Sequence, residues 1–345
     1  MLKEMLPPSR LHPIIEQQAQ EVFYYKQSWL DLLTKLYGYP LVPLTTTNAA
    51  GQITGMLPLY HIQSPLTGRR YVSLPFSDHC PLLAVDATDA HTLLDQALDL
   101  AQKARYLELR GGCNNLLAGR TDLVESNLYA RWLLPLHSDA HNVWTGLHKP
   151  VQRQIKKAQK LGVQVRIAQD RAEMEHYYRL HLLTRMKHGM PAQPQRFFFA
   201  LWDAFAADET MQLLLAEYEG TIIAGMILLT TGSTVKYAYG ASNEQYLHLA
   251  PNNLLLWTAI TQSCARGYHT LDLGRTARDN HGLMEFKRRW GASEERLPYY
   301  YYPTNDGLTA TSEQSRKFRL LTTTWKQLPA WIAGPLGGVL YKHLG

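Results

Sequence analysis

Three short apolar segments follow one another in the second half of the chain, separated by only a few residues. They cover residues 212–218, 221–230 and 235–239, and the first two are joined at Glu219-Gly220. Apolar segments bounded by turn residues are typical of strands, and connections this short join antiparallel neighbours. The sequence therefore predicts a three-stranded meander at the centre of this half.

Helical patterns and two further strands surround the meander. Lys149-Pro150 opens a helix that Gly162 can end, and proline interrupts the helical pattern at residues 188–195. The helices are predicted at residues 150–161, 172–187, 197–205 and 252–266, and the two strands at residues 163–167 and 270–273. The second half thus has the order helix, strand, helix, meander, helix, strand.

The first half alternates helices and strands in a similar way. The predicted elements are helices at residues 28–36 and 92–104 and strands near residues 53–62, 71–74, 81–85 and 106–109. A chain of 345 residues has room for two domains of ordinary size. We place them at residues 1–143 and 144–303, followed by a C-terminal segment at 304–345. The predicted fold class is α+β, with mixed, mostly antiparallel sheets flanked by helices.

Composition excludes several classes of protein. Hydrophobic residues make up 46% and charged residues 19%, so a packed globular chain is expected. The net charge of +6 favours anionic partners without the excess typical of architectural nucleic-acid binders. Cys80, Cys113 and Cys264 lie far apart, which argues against a zinc site or a disulfide framework and indicates a reducing cytoplasm. We see no signal peptide and no apolar run of about 18 residues, and expect no membrane-spanning segment.

The order of elements resembles the GNAT acyltransferase fold, present twice. The segments TIIAGMILLTTGSTVKYAYGASN and GLMEFKRRWGA resemble the second domain of the Fem-type peptidoglycan aminoacyltransferases and their relatives in exopolysaccharide gene clusters. The segments SWLDLLTKLYGY and LHKPVQRQIKKAQKLGV also resemble that broader family. The resemblance spans about residues 28–303. It implies tandem GNAT-like domains, transfer of an acyl or aminoacyl group, and a C-terminal segment that returns to pack on the first domain.

The motif Phe286-Lys287-Arg288-Arg289 provides the first candidate for catalysis. By resemblance to the Fem-type FK motif, Lys287 is our candidate for the cation that stabilises an oxyanion or a donor phosphate. We expect Phe286 to anchor the segment in the core and Arg288 to bind an anion nearby. A surface salt bridge is the alternative role for Lys287.

The helix predicted at residues 150–161 has a basic face. Its cations share one side at helical spacing: Arg153, Lys156, Lys157 and Lys160. Its apolar residues occupy the opposite side: Val151, Ile155, Ala158 and Leu161. Four cations within about three turns suit phosphates on tRNA, a nucleotide sugar or lipid headgroups. The alternative is a solvated helix face that binds nothing.

The residues before the helix at 252–266 help to indicate which acyl donor the protein uses. Acetyl-CoA-dependent GNAT enzymes bind the pyrophosphate with a glycine-rich loop and a helix N-terminus. Residues 246–253 contain no glycine, and Ala250 and Asn252 stand where glycine is expected. The sequence therefore leaves two possible acyl donors, aminoacyl-tRNA and acyl-CoA. We expect no tightly bound cofactor. Asn252 and Asn253 are candidates for orienting a substrate carbonyl, with helix capping as the alternative.

Other substrate-binding candidates lie at the ends of strands. Tyr237 and Tyr239 are expected on one face of a strand, with a cross-strand core pair as the alternative. Arg275 follows the last strand of this half, and a structural pair with Asp272 is its alternative role.

The segment SLPFSDHC of the first half and HLLTR of the second supply three more candidates. Asp78, His79 and Cys80 are adjacent, and adjacent residues on an extended chain point in opposite directions, so they cannot form a catalytic triad with one another. Because both segments resemble a subgroup of GNAT-like proteins, we expect Asp78, His79 and Arg185 to line a cleft. Buried, hydrogen-bonded polar groups are the alternative.

The C-terminal residues WKQLPAWIAGPLGGVLYKHLG combine tryptophan and aliphatic side chains with Lys326 and Lys342. Proline and glycine interrupt this segment too often for it to span a bilayer, but it could lie on a membrane surface. Packing against the first domain is the favoured interpretation, with peripheral membrane contact as the alternative.

These features predict an acyl or aminoacyl transferase that acts on an amine of a cell-envelope or exopolysaccharide precursor. Its expected partners are an anionic donor, tRNA or CoA, and a polysaccharide or peptidoglycan precursor. We expect a cytoplasmic protein, at the inner face of the membrane if the C-terminal segment binds there, and no metal site. The alternatives are an acetyl-CoA-dependent sugar N-acetyltransferase and a non-catalytic GNAT-like binding scaffold.

Overall fold

The structure is a computed structural model that describes residues 10–111, 116, 120–303 and 325–343. Two compact units divide this part of the chain. The first unit contains the described residues up to Ala130, then 296–303 and 342–343, and the second contains 131–295 and 325–341. This division lies earlier in the chain than the predicted boundary at residue 143. Cys113 and residues 304–324 of the predicted C-terminal segment lie outside the described residues.

The first unit is a mixed sheet with helices. Its elements are α1 (Pro13–Gln20), α2 (Gln27–Tyr37), β1 (Leu41–Thr47), β2 (Ile53–Ser64), β3 (Gly68–Val72), β4 (Leu83–Ala84), α3 (Ala87–Ala101) and β5 (Tyr106–Arg110). Strand order is β1-β2-β3-β5, and residues 299–302 add a last antiparallel strand beside β5. Only β3 and β5 pair in parallel within this set.

Helix α3 shows how the first core forms. It begins before the predicted start because the Asp86 carboxylate accepts a hydrogen bond from the backbone N–H of Asp89. Its apolar face, which includes Leu93 and Leu94, packs on Leu57 and Leu107 of the sheet. The amphipathic pattern of this helix therefore contributes directly to the core of the first unit.

The second unit contains the predicted meander. Its elements are α4 (Ala140–Gly146), α5 (Lys149–Lys160), β7 (Gln164–Ile167), α6 (Glu173–Lys187), α7 (Gln195–Phe205), β8 (Met211–Tyr218), β9 (Thr221–Thr231), β10 (Thr234–Ser242), α8 (Pro251–Ala265), β11 (Thr270–Ala277), α9 (His281–Arg289) and α10 (Ala330–Tyr341). Two strands, β6 (Val124–Pro135) and β12 (Ser293–Tyr302), include residues of both units. The predicted helices and strands of this half are confirmed, with ends shifted by a few residues.

The strands of the second unit follow the order β11-β10-β9-β8-β7. The pairs from β10 to β7 are antiparallel, whereas β10 and β11 are parallel. Helices α5 and α8 cover the sheet with a buried apolar cluster that includes Ile155, Leu255 and Ile260. Helix α6 contacts β9 and β10.

The C-terminal helix belongs to the second unit. Helix α10 packs on α6, and a Cβ at Gly334 would lie 3.5 Å from the Leu182 side chain. The two described residues after α10, 342 and 343, belong to the first unit, where the backbone carbonyl of His343 accepts a hydrogen bond from Arg70 Nη2 at 3.1 Å. Within the described ranges, none of the helices is long and apolar enough to cross a membrane.

Candidate functional site

Strands β10 and β11 of the second unit run together for only three residue pairs. Their parallel pairing joins Thr234 to Thr270, Val235 to Leu271 and Lys236 to Asp272, although both strands continue beyond this point. In open sheets, ligands bind where neighbouring parallel strands separate at their carboxyl ends. The separation of β10 from β11 is therefore the candidate site.

A buried ionic cluster lies at the last shared pair. The Asp272 carboxylate, in a residue only 3% exposed, accepts hydrogen bonds from Lys236 Nζ at 3.1 Å and Arg131 Nη2 at 2.9 Å. Its other oxygen accepts from the backbone N–H of Gly274 at 2.7 Å. Arg275, the partner considered for Asp272 from the sequence, is an exposed residue. A buried carboxylate needs such donors because burial without partners strongly disfavours its charge.

Lys287 approaches the same strand from α9. Its ammonium donates hydrogen bonds to the carbonyl oxygens of Gly274 at 2.9 Å and Arg275 at 3.2 Å, and the residue is only 4% exposed. The alternative of a surface salt bridge is wrong, because the ammonium is buried. Phe286, expected as the core anchor, is 37% exposed, and the fully buried aromatic residue is Trp290, directly after the motif.

Arg288 lies on the exposed side of α9. Its guanidinium pairs with Glu285 at 2.8 Å, one turn earlier on the same helix, and lies 5.6 Å from the centre of the Trp132 ring. Both contacts leave part of the guanidinium in solvent, since the side chain is about half exposed. Arg288 can therefore still meet an anion.

Helix α8 begins without a glycine, next to the separation of the strands. Its N-cap is Ala250 in the left-handed conformation, with φ 55°, followed by Pro251 in the first turn. The expectation that Asn252 or Asn253 caps the helix is wrong. The Asn252 amide donates to Ser242 Oγ at 3.2 Å and so joins the start of α8 to the end of β10.

Asn253 contributes its backbone N–H to the first turn of α8. Its N–H donates to the Ala250 carbonyl at 3.2 Å, and its side chain is half-buried. The N-terminus of a helix carries a partial positive charge and favours anions. This end of α8 therefore adds positive potential beside the end of β10.

Tyr237 and Tyr239 lie on opposite faces of β10. A β-bulge between them pairs Tyr237 with Leu228 and Tyr239 with Ile227, which are consecutive residues of β9. The predicted shared face is therefore wrong. Tyr237 packs on the α5 and α8 side, whereas Tyr239 packs edge-on against Phe198 of α7, with ring centres 5.5 Å apart.

Tyr237 folds back over the backbone that follows it. A Cβ at Gly240 would lie 2.0 Å from the Tyr237 hydroxyl oxygen, so only glycine fits there. Burial raises the pKa of Tyr237 to about 12. The hydroxyl therefore stays protonated at neutral pH and can act only as a neutral hydrogen-bonding group.

Arg185 holds the loop after α6. Its Nε donates to the Pro191 carbonyl at 3.1 Å, and the neighbouring Thr184 hydroxyl accepts from the backbone N–H of Ser242 at 3.1 Å. Nearby, His181 is buried with Nε2 2.8 Å from the Gln193 amide oxygen. Burial lowers the pKa of His181 to about 3, so the imidazole is neutral. Through Thr184, helix α6 is therefore hydrogen-bonded to the C-terminal end of β10.

The basic face of α5 is confirmed. Arg153, Lys156, Lys157 and Lys160 are all exposed, whereas Val151, Ile155 and Ala158 are buried. Leu161, expected on the apolar side, is exposed because the helix ends before it at Lys160. Gly162 then follows with φ 84°, as its predicted role requires. Lys156 lies with Nζ 5.6 Å from the centre of the Trp144 ring.

Asp78 and His79 belong to the first unit. One Asp78 carboxylate oxygen accepts a hydrogen bond from the Tyr24 hydroxyl at 3.0 Å, and both residues are half-buried. A Cβ at Gly111 would lie 2.7 Å from the His79 ring, so the two are closely packed. Cys80 is buried, and burial raises the pKa of its thiol, which keeps it protonated. This loop is thus tied into its own unit by several contacts.

Sequence reasoning missed Lys236 and Arg131. Lys236 interrupts the apolar pattern of a predicted core strand, and that interruption was a signal for a buried functional or paired cation. Arg131 carried no such signal, because it lies 141 residues before its partner Asp272. Across the described residues, no group of three or more His, Cys, Asp or Glu side chains is placed to hold a metal ion.

A family model and a curated relative each match part of the chain. The family described as an acetyltransferase (GNAT) domain matches residues 147–288. The lipid II:glycine glycyltransferase of Staphylococcus aureus is 31% identical over 103 residues, which are 28% of this chain and 24% of that protein. The chain thus matches about a quarter of the length of this curated relative.

Two solved structures share the fold over most of the chain. The crystal structure of FemX superposes with a TM-score of 0.63 at 18% identity and covers 83% of this chain and 93% of that one. The C-terminal domain of a lysylphosphatidylglycerol synthetase from Agrobacterium fabrum has a TM-score of 0.59 at 12% identity and covers 90% and 95%. The predicted α+β class with GNAT-like domains in tandem is confirmed. By these matches the chain has the GNAT fold and is similar, over part of its length, to Fem-type proteins of that fold.

Proposed function

We propose that the protein transfers an aminoacyl group from an activated ester to an amine of a cell-envelope precursor. The observation that carries this proposal is the separation of β10 from β11, because three cations and a helix N-terminus surround it. The cations are Lys236, Arg131 and Lys287. The lipid II:glycine glycyltransferase, a relative over part of its length, is named for a reaction of this kind.

The reaction needs little beyond positioning and charge stabilisation. The neutral amine attacks the carbonyl carbon of the donor ester, the new C–N bond forms, and the ester C–O bond breaks. The amine proton leaves to the departing oxygen or to water. The negative charge that develops on the carbonyl oxygen requires fixed hydrogen-bond donors or cations.

The bulge in β10 supplies one such donor. Ala238 has no partner in the ladder with β9, where the register passes directly from Tyr237 to Tyr239. The extra residue of a bulge is left out of the ladder, so its backbone N–H needs another acceptor. We assign this N–H to the developing oxyanion.

Lys287 acts in this proposal as a positioning residue as well as a source of positive potential. Its ammonium holds the carbonyls of Gly274 and Arg275, and Gly274 has φ 74°, a conformation that favours glycine. This contact maintains the bend of β11 away from β10. The charge of the ammonium then acts on the site from within the protein, where electrostatic effects are weakly screened.

The donor that fits best is aminoacyl-tRNA. The start of α8 has Ala250 and Asn252 in place of the glycines that would let a pyrophosphate approach the backbone, with Pro251 between them. The exposed face of α5 carries four cations without an acidic residue between them, which suits a polyanion larger than a nucleotide. We propose cytoplasmic reaction partners of this kind, with a peptidoglycan precursor as acceptor.

A second candidate is transfer of an acetyl group from acetyl-CoA to an amino sugar. It is favoured by the match of residues 147–288 to the acetyltransferase (GNAT) domain. It requires the pyrophosphate of CoA to bind at the α8 N-terminus despite the left-handed Ala250. The two candidates differ in their donor and can be separated directly.

The deciding experiment presents both donors to the same purified protein. Radiolabelled aminoacyl-tRNA or acetyl-CoA is mixed with a uridine-diphosphate-linked muramyl pentapeptide or with glucosamine phosphate, and labelled product is counted. We expect label from aminoacyl-tRNA to reach the peptide amine. Transfer from acetyl-CoA alone would establish the second candidate, and transfer from neither donor to any amine would overturn both. A variant with Lys236→Met should lose transfer, whereas Lys326→Gln, outside this site, should not.

A further inference from the structure

The small residues of helix α10 pack against the rest of the second unit. Ala333, Gly334 and Gly337 are its buried positions. A Cβ at Gly337 would lie 3.0 Å from the backbone nitrogen of Ala192, and a Cβ at Gly334 would lie 3.6 Å from the Tyr178 hydroxyl. This face of the helix therefore sits so close to the second unit that larger side chains do not fit.

The bulky apolar residues of α10 face solvent instead. Trp331 is 77% exposed, Val339 is 58% exposed and Leu336 is 40% exposed. Trp331, Pro335 and Val339 are spaced by four residues, so they form one stripe along the helix. A helix that only covers a core turns its large apolar side chains inward. The reversed arrangement of α10 indicates an apolar partner on its outer side.

The charged side chains in the C-terminal sequence that contains this stripe are of one sign. Lys326, just before the helix, and Lys342, just after it, are both exposed. No Asp or Glu follows Glu313 in the sequence, whereas five Lys or Arg residues do: Arg316, Lys317, Arg319, Lys326 and Lys342. An apolar stripe with tryptophan and flanking lysines matches the boundary between anionic phospholipid headgroups and acyl chains.

We propose that α10 binds the surface of an anionic phospholipid membrane. Trp331, Pro335 and Val339 enter the boundary between headgroups and acyl chains, and Lys326 and Lys342 meet the lipid phosphates. The helix lies in the plane of the surface, because its 12 residues are fewer than the roughly 20 needed to span the hydrocarbon core. A second copy of the chain is a poorer partner, since two such faces would bring like charges together. The proposal is independent of the acyl donor and of the acceptor.

The test is flotation of the full chain with phosphatidylcholine vesicles, with and without phosphatidylglycerol. We expect the protein to float with the anionic vesicles only. The double variant Trp331→Ser, Val339→Ser should bind them about tenfold or more weakly, because less apolar surface is buried in the lipid. The variant Lys326→Gln, Lys342→Gln should bind about fivefold more weakly per charge at low salt. Leu66→Ser is the matched control, because Leu66 is an apolar side chain 65% exposed on the first unit.

Fluorescence provides a second readout that does not depend on the double variant being folded. Vesicles should shift Trp331 emission to shorter wavelength, and the shift should disappear in Trp331→Phe. Absence of binding to anionic vesicles, or equal binding by the double variant and by the Leu66→Ser control, would overturn the proposal. So would sedimentation showing a dimer that Trp331→Ser, Val339→Ser converts to a monomer, because the partner would then be a second copy. Transfer to a water-soluble acceptor should be unchanged in all of these variants.

Discussion

Helices α5 and α9 of the second unit both carry several cations, and they use them in opposite ways. The α5 cations all point to solvent, as the spacing of Val151, Ile155 and Ala158 predicts. On α9, Lys287 is the buried residue and Phe286 beside it is exposed. Lysine therefore lies on the buried face of α9 but on the exposed face of α5.

The reason lies in the strand beneath α9. Strand β11 stops pairing with β10 after Asp272, and the left-handed Gly274 follows two residues later. Buried carbonyl groups near such a bend need donors, because an unpaired buried polar group is costly. Lys287 provides them to Gly274 and Arg275. Helix α5 instead packs on the apolar cluster through Ile155, which calls for aliphatic side chains on its inner face.

The largest effect is expected at the buried carboxylate shared by two cations. Asp272→Asn should lower the free energy of unfolding by about 3 to 5 kcal/mol, because Lys236 and Arg131 lose their buried counter-charge. Asp203→Asn is the control, since its pair with Arg171 is about half exposed and should contribute little to stability. Urea denaturation measures both. Equal decreases in the two variants would mean that burial of the Asp272 cluster has no energetic consequence.

Replacing Lys287 should reduce turnover more than replacing any exposed cation of α5 or α9. Lys287→Ala should reduce turnover about 100-fold to 1000-fold, the range for removal of one charge-stabilising donor. Lys287→Arg should restore little, because a planar guanidinium does not fit where a compact ammonium meets two carbonyls. Initial rates of aminoacyl transfer measure this.

The controls for Lys287 separate fold from chemistry. Arg288→Ala removes a neighbouring cation that is about half exposed, and should change turnover little. Lys287→Met keeps the aliphatic stem in the buried position but removes the charge and both carbonyl hydrogen bonds, so its melting temperature should fall, and its turnover, measured below that temperature, should remain slow. If Lys287→Met has near-normal turnover, Lys287 has no part in the reaction beyond its packing.

His181 extends the comparison to a buried group that carries no charge. Its folded pKa is lowered to about 3, whereas an unfolded histidine titrates near about 6.5. Above about pH 6.5 both states are neutral and stability is unaffected. Between about pH 6.5 and 3 the unfolded chain alone binds the proton, so stability falls by up to about 1.4 kcal/mol per pH unit.

The measurement for His181 is urea denaturation at several pH values between about 7 and 5, the upper part of the window in which only the unfolded imidazole is protonated. His181→Gln should flatten the decline in stability. His176→Gln, an exposed histidine on the same helix, should keep the decline of the parent protein. Parallel curves for all three proteins would show that His181 does not titrate differently in the folded state.

The smallest effect on stability is expected on α5. Changing Arg153, Lys156 and Lys160 together to Gln should alter stability by only about 0.5 kcal/mol, since these side chains are exposed. The same change should weaken binding to tRNA and reduce its salt dependence by about one unit of slope for each phosphate that is no longer neutralised. Filter binding at several salt concentrations measures both. An unchanged affinity and slope would assign this face to solvent alone.

Much of the second unit was predictable because its signals are local. The meander, the apolar face of α5 and the role of Gly162 depend on residues within one or two turns of each other. Periodicity and turn chemistry act over that range. Candidate residues on α5 were therefore placed correctly, apart from Leu161 just beyond the helix end.

The site itself was predictable only in part. Lys287 was identified by resemblance, but its burial and its carbonyl partners were not, because they depend on the bend at Gly274. The bulge that separates Tyr237 from Tyr239 requires one extra residue relative to β9, a feature of strand pairing that the sequence of β10 alone does not reveal.

The sequence by itself determined which segments become helices and strands, and that α5 exposes a row of cations, because backbone preference and side-chain periodicity are properties of neighbouring residues. Only the tertiary structure decided that Asp272 pairs with Arg131 and Lys236, since a buried charge takes whichever partners the fold brings within about 3 Å. It also decided that α10 packs with its glycines inward. Close approach to the second unit excludes larger side chains from that face and leaves Trp331 in solvent.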